Sequence, residues 1–175
     1  ALPLGGFEVH EGRHARVEFS DDVTEDLARR DFTINALAWH PFRDELLDPY
    51  GGRADLAEGR LRTVGDPATR FAEDYLRVLR AIRFAARFDL DIEGDTWSAI
   101  CDAAPQLDRL SAERVREELL KTLGSCERPS AALTLLHLSG AVATLVPELA
   151  RSGGPGLPTV PVLATDLVSR SRPLL

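Results

Sequence analysis

The sequence predicts an α+β fold that is predominantly α-helical, and three observations carry that expectation. Strand and turn signals are confined to residues 1–55, where short β-branched or aromatic runs alternate with glycine, proline and charge. From residue 56 onward, apolar side chains recur at three- and four-residue spacing, the period of a helix with one buried face. Between the two regimes stands Pro49-Tyr50-Gly51-Gly52, whose adjacent glycines permit backbone angles that other residues avoid. The expected organisation is therefore residues 1–55, 56–125 and 126–175, with Gly51 and Gly52 as a hinge between the first two parts.

The elements follow in order. Residues 1–16 have no clear period and read as loop; Gly5-Gly6 opens neither a G-x-G-x-x-G nor a Walker pattern. Val17-Glu18-Phe19 is a short strand candidate. The acids from Asp21 to Asp26 suit the positive end of a helix, with Val23, Leu27 and Ile34 on one side at helical spacing. Arg29-Arg30-Asp31 is either a solvated charged turn or, because a planar guanidinium fork suits phosphate oxygens, a contact for triphosphate and ribose. Residues 40–45 read as a hairpin turn and 45–48 as the returning strand.

Asp66-Pro67 is a helix entry, a capping carboxylate followed by proline in the first turn. Residues 73–87 then read as one helix: Tyr75, Leu79, Ile82 and Ala86 form its buried face, Asp74, Arg77, Arg80 and Arg87 another, with Arg83 near the edge. Residues 88–95 link to the next helix, which Asp95 or Thr96 caps. Ser111 caps a helix over 110–123. Residues 130–138 and 140–149 form a further helical pair, and the glycine- and proline-rich 151–158 breaks the pattern. No internal repeat is visible.

At 175 residues, with 44% apolar and 28% charged content, the chain has the composition of a soluble globular protein with a real core. No apolar run reaches the length of a membrane span. Cys101 and Cys126 have no metal-ligand spacing, which predicts two buried thiols in a reducing cytoplasm. The net charge of −7 argues against indiscriminate nucleic-acid binding while leaving room for a local basic groove.

Asp74 and Arg77 carry the most specific chemistry. Three apart on an exposed helix, they would ordinarily be a weak ion pair. A carboxylate only accepts hydrogen bonds, however, and a guanidinium only donates them. Adenine and cytosine each present an amino donor beside a ring-nitrogen acceptor; guanine and uracil present a carbonyl beside an N–H. A fixed Asp74–Arg77 pair would match A and C and oppose G and U.

Four stretches, read together, resemble the class II nucleotidyltransferases, the family of tRNA nucleotidyltransferases (CCA-adding enzymes) and poly(A) polymerases. They are Arg29-Arg30-Asp31-Phe32-Thr33-Ile34-Asn35, Asp48-Pro49-Tyr50-Gly51-Gly52, the run from Val64-Gly65-Asp66-Pro67 through Glu73-Asp74-x-x-Arg77-x-x-Arg80, and Leu110-Ser111-x-Glu113-Arg114 with Glu118-Leu119-x-Lys121. The resemblance implies part of a nucleotidyltransferase head in 1–55, a helical nucleotide-selecting neck in 56–125 and the start of a helical body in 126–175. It implies that Asp74 and Arg77 read the incoming base, that Arg29, Arg30, Asp31 and Asn35 hold ribose and phosphates, and that Arg80 belongs to the same site. The last of the four stretches implies a helix that braces the template.

The implied activity is addition of CMP and AMP, from CTP and ATP, to the 3′ end of tRNA. Gly12-Arg13-His14-Ala15 is similar to the end of the loop that switches specificity from C to A. The runner-up within the family is an A-adding enzyme or poly(A) polymerase; from another class, a non-catalytic helical RNA-binding module. The family's Asp-x-Asp pair, which holds Mg²⁺, has no counterpart: Asp21-Asp22 cannot replace it, since adjacent residues on a strand would point to opposite faces, and Asp89-x-Asp91 follows the template. The expectation is a fragment that begins after its catalytic strand and selects nucleotides without transferring them.

Overall fold

The computed structural model describes residues 23–126 and 129–151. The expected strand at 17–19, the loop at 12–15 and the Asp21-Asp22 pair lie outside the described residues. The architecture is α+β and mainly helical. Helix α1 (Val23–Ala28) ends sooner than its spacing suggests, and Ile34 falls in a separate 3-10 turn, Thr33–Asn35. Strands β1 (Ala38–His40) and β2 (Glu45–Leu47) form the expected hairpin, antiparallel with Trp39 opposite Leu46.

The chain then enters α2 (Gly52–Ala57), where Asp48 accepts hydrogen bonds from the Gly52 and Arg53 amides at 2.7 and 3.0 Å. The expected division at 55/56 runs through this helix. Asp55 is buried and accepts hydrogen bonds from Thr33 Oγ1 at 2.6 Å, Arg60 Nε at 2.9 Å and Arg62 Nε at 3.1 Å. Burial pushes its carboxyl pKa upward, and the bonds from Thr33, Arg62 and Arg60 more than reverse this, so it lies below the usual carboxylate range.

Gly51 sits at φ 75°, in the left-handed region. Gly52 is required for a different reason: a Cβ there would lie 2.2 Å from the Thr33 carbonyl oxygen. Gly52→Ala should therefore cost about 1–3 kcal/mol by forcing backbone apart. It should appear as a lower urea midpoint at unchanged slope.

Strand β3 (Arg60–Leu61) pairs in parallel with β4 (Asp91–Ile92), which lies inside the stretch expected to be a plain link. Between them run α3 (Pro67–Glu73) and α4 (Leu76–Phe88). The expected single helix over 73–87 is thus two. Asp74 adopts an extended backbone, φ −157° and ψ 105°, and its Oδ1 accepts the Leu76 amide hydrogen at 3.1 Å. This is the local side-chain bonding that makes aspartate favour caps and turns over helix interiors. The entry at Asp66-Pro67 is as expected, with Asp66 accepting from the Thr69 amide at 2.8 Å.

On α4 the buried residues are Val78, Leu79, Ala81, Ile82, Arg83 and Ala85; Tyr75 and Ala86 are only half-buried, and Arg83 is inside rather than at the edge. Each fully buried Leu, Ile or Val is worth about 1.5–3 kcal/mol, several times any propensity difference, so packing decides where α4 lies. The next helices are α5 (Gly94–Ala103) and α6 (Ala112–Ser125). Glu93, not Asp95 or Thr96, caps α5, accepting from the Thr96 amide at 2.9 Å and its hydroxyl at 2.8 Å. Ser111 caps α6 as expected.

Helix α7 (Pro129–Leu138) follows, and the expected helix over 140–149 divides into α8 (Ala141–Leu145) and α9 (Pro147–Arg151). The residue before proline disfavours helical backbone, and Val146 sits at φ −140°. The main core joins Phe32, Leu61 and Phe71 to the buried faces of α4 and α5, and α6 and α7 pack on α4. Cys126 is buried, whereas Cys101 is half-buried; both are free thiols.

Candidate functional site

The turn after α1 lies against the break between α3 and α4, and the candidate residues meet there. Asp31 is only 7% exposed. Its Oδ1 accepts from the Phe32 amide at 3.0 Å and from Asn35 Nδ2 at 2.9 Å, while Oδ2 takes Arg80 Nε at 2.7 Å and Arg80 Nη2 at 2.6 Å. A two-pronged guanidinium–carboxylate contact fixes orientation as well as charge. Arg80, on α4, is thereby committed to Asp31, whose other oxygen holds Asn35. Sequence spacing had placed Arg80 only on a charged face.

Arg29 and Arg30 remain exposed. Arg29 pairs with Glu25 at 3.9 Å and Arg30 with Asp26 at 2.9 Å, each one turn back along α1. Such exposed pairs are worth only about 0–1 kcal/mol, so both forks can exchange partners for an anion at little cost.

Asp74 and Arg77 are close in the chain, and each side chain is held by other protein groups rather than by its neighbour. Asp74 Oδ2 accepts from Arg114 Nη2 at 2.7 Å, reaching from the first turn of α6. Arg77 Nη1 bonds the Glu73 carboxylate and donates to the Arg70 carbonyl at 2.8 Å; Nη2 donates to the Arg29 carbonyl at 3.3 Å. The Arg77 guanidinium holds the Glu73 carboxyl below its ordinary pKa, with burial pulling the other way and Arg70 adding to the lowering. The break thus presents an acceptor held by Arg114 beside a donor held by Glu73, 33% and 18% exposed respectively.

Arg70, Glu73 and Arg114 were quoted within motifs but given no individual task by the sequence. Glu73 and Arg77 at i, i+4 do carry a legible signal. Arg114 lies 40 residues from Asp74, and no spacing rule reaches that far. Behind it, Arg83 of α4 and Glu118 of α6 form a buried pair that sets the two helices side by side.

No group of three or more His, Cys, Asp or Glu that could hold a metal occurs among the described residues. Asp31, Glu73 and Asp74 are each engaged by guanidinium, so the described residues do not fit a metal. Asp89 ends α4 in the left-handed region, and Asp91 lies in β4. An apolar cleft of about 410 Å³, lined by Leu107, Leu110, Val115, Leu119, Leu123 and Leu145 among others, includes none of the candidate residues. No helix among the described residues is long and apolar enough to cross a membrane.

Comparison with known proteins identifies the family. Residues 6–62 match the family model described as the poly A polymerase head domain. Residues 89–152 match the one described as the probable RNA and SrmB-binding site of polymerase A. A CCA-adding enzyme of Leuconostoc mesenteroides is 48% identical over 111 residues, covering 63% of this chain and 27% of that protein. A multifunctional CCA protein of Stenotrophomonas maltophilia is 49% identical over 132 residues, 73% of this chain and 32% of that one.

Among solved structures, the Bacillus stearothermophilus CCA-adding enzyme in complex with CTP superposes with a TM-score of 0.69 at 41% identity, covering 73% of this chain and 32% of that one. The Thermotoga maritima CCA-adding enzyme complexed with tRNA superposes at 0.66 and 37% identity, covering 72% and 31%. The chain therefore spans about a third of its relatives' length. The two matching family models, the sequence identity to CCA-adding enzymes and the shared fold together place the chain in the family of class II tRNA nucleotidyltransferases and poly(A) polymerases.

Proposed function

We propose that the whole protein adds CMP and AMP, from CTP and ATP, to the 3′ end of tRNA, and that this chain selects the nucleotide. The observation that carries the reading is the Asp74–Tyr75 break, which sets a carboxylate acceptor and a guanidinium donor beside the turn holding Arg29, Arg30 and Asp31. Asp74 accepts the amino hydrogen of cytosine or adenine, and Arg77 donates to the neighbouring ring nitrogen. Guanine and uracil would set carbonyl against carboxylate and N–H against guanidinium. Arg29 and Arg30 take the phosphates; Asp31, held by Arg80, and Asn35, bonded to Asp31, face the sugar.

Relatives solved with CTP, with ATP and with tRNA support the same substrates. We place the reaction in the cytoplasm; the family's divalent ion would be Mg²⁺, for which the described residues supply no ligand group. Gly51 is the proposed hinge, since the chain turns there in the left-handed region; Gly52 packs too closely on Thr33 to swing independently of it.

The test is titration of this chain with each of the four nucleotides, followed by fluorescence of its two tryptophans. ATP and CTP should bind on the order of tenfold more tightly than GTP and UTP, and Asp74→Ala should erase that ratio. Equal binding of all four, unchanged by the substitution, would refute the reading. A second reading is favoured by the poly(A) polymerase description of both matching family models. Product ladders from the full-length protein separate the two: a poly(A) or A-adding enzyme incorporates no CTP.

A further inference from the structure

The Arg70 guanidinium makes three contacts that base selection does not use. Nε donates to the Val64 carbonyl at 3.0 Å, Nη2 to the Ala28 carbonyl at 2.8 Å, and Nη1 to the Glu73 carboxylate at 3.0 Å. The side chain is 15% exposed. Ala28 ends α1, where the last carbonyls of a helix have no partner within it. The next carbonyl, that of Arg29, accepts from Arg77. Two arginines from the 70–77 stretch therefore finish a helix far back in the chain.

They are not equivalent. Arg77 is the donor that the proposed nucleotide contact requires, and turning it toward a base weakens its hold on Arg29. Arg70 meets only protein groups. It also joins Ala28 to Val64, and Val64 itself donates its amide to the Asp31 carbonyl at 3.1 Å. Arg70 thus closes a ring of contacts around residues 28–31 that survives the loss of Arg77.

We infer that Arg70 is a positioning residue that fixes the 29–31 turn at a set distance from the α3–α4 break, so that one nucleoside triphosphate reaches both. This rests on the nucleotide reading above. Phosphates at Arg29 and Arg30 and a base at Asp74 and Arg77 belong to one rigid molecule only if the two protein segments keep their separation. A fork with several donors can serve three separated acceptors at once, whereas the single ammonium of lysine is a point charge.

The test uses this chain with Arg70→Lys and Arg70→Gln. Hydrogen exchange of residues 29–35, measured without nucleotide, should accelerate in both variants. Calorimetric titration should show inorganic triphosphate, ATP and CTP all weakened by a common factor, on the order of tenfold, with the preference for ATP and CTP over GTP and UTP intact. Lysine should recover part of the loss.

A purely structural role predicts a lower melting temperature and fewer competent sites at unchanged Kd, and that result would overturn the inference. So would unaltered exchange at 29–35, or loss of base preference without loss of triphosphate affinity. If the parent chain shows no nucleotide preference, the selection reading fails by itself, while the exchange measurement still decides whether Arg70 anchors the turn.

Discussion

Glu118→Ala should destabilise the protein by about 3–5 kcal/mol, the cost of leaving one half of a buried ion pair behind. Arg83 and Glu118 are 9% and 3% exposed at their side chains. Arg83 lies under the Phe84 ring with its guanidinium carbon 4.4 Å from the centroid, so water reaches it poorly once the carboxylate is gone. Two controls isolate the cause. Glu118→Gln keeps the volume and one acceptor and should cost less. Arg83→Met combined with Glu118→Leu removes both charges and should fall within about 1–2 kcal/mol of the parent, because well-packed apolar replacements of buried pairs are commonly neutral. Urea unfolding measures all three. An alanine variant within about 1 kcal/mol of the parent would mean the pair is hydrated in solution. Since α6 also carries Arg114, loosening this pair should weaken the support of Asp74.

Asp55→Asn should cost about 2–4 kcal/mol near neutral pH, since it removes the charge that Arg60 and Arg62 share and weakens the bond from Thr33. The pH dependence has a definite sign. The folded-state pKa of Asp55 is lowered, so its stabilisation is fully present above the unfolded value of about 3.9 and is lost as pH falls through the folded value. Parent and variant should therefore differ by a constant amount from neutral pH down to roughly 5, and converge below about 4. A difference that instead grows on acidification would show that the folded-state pKa of Asp55 is raised rather than lowered. Denaturant midpoints across that range supply the measurement.

Local chemistry was legible in the sequence. The Asp66-Pro67 and Ser111 helix entries, the hairpin around residues 40–45 and the largely buried face of α4 all follow from nearest neighbours or from a single period. What escaped depends on groups far apart in the chain. The β3–β4 pairing joins two-residue strands whose own sequences carry no strand signal. The break at Asp74 turns on whether an aspartate bonds its own backbone or stays in a helix, and tertiary contacts decide that choice: Arg114 holds the carboxylate on its other oxygen. Arg83 sits among exposed-looking arginines at helical spacing, and only its partner on α6 explains why it is inside. The candidate residues could thus be named from motifs, whereas their mutual partners could not.

The parallel contact between β3 and β4 also sets an order of assembly. Two hydrogen bonds flank its two-residue ladder, Asp91 amide to Gly59 carbonyl at 2.7 Å and Glu93 amide to Leu61 carbonyl at 3.0 Å. At about 1 kcal/mol per bond, so short a ladder does no more than match the roughly 3 kcal/mol of chain entropy lost in closing a loop of about 30 residues. That junction cannot start folding. The helices between must collapse first and bring the two ends together, so the short ladder forms late, as a seal on a loop that α3 and α4 have already drawn closed.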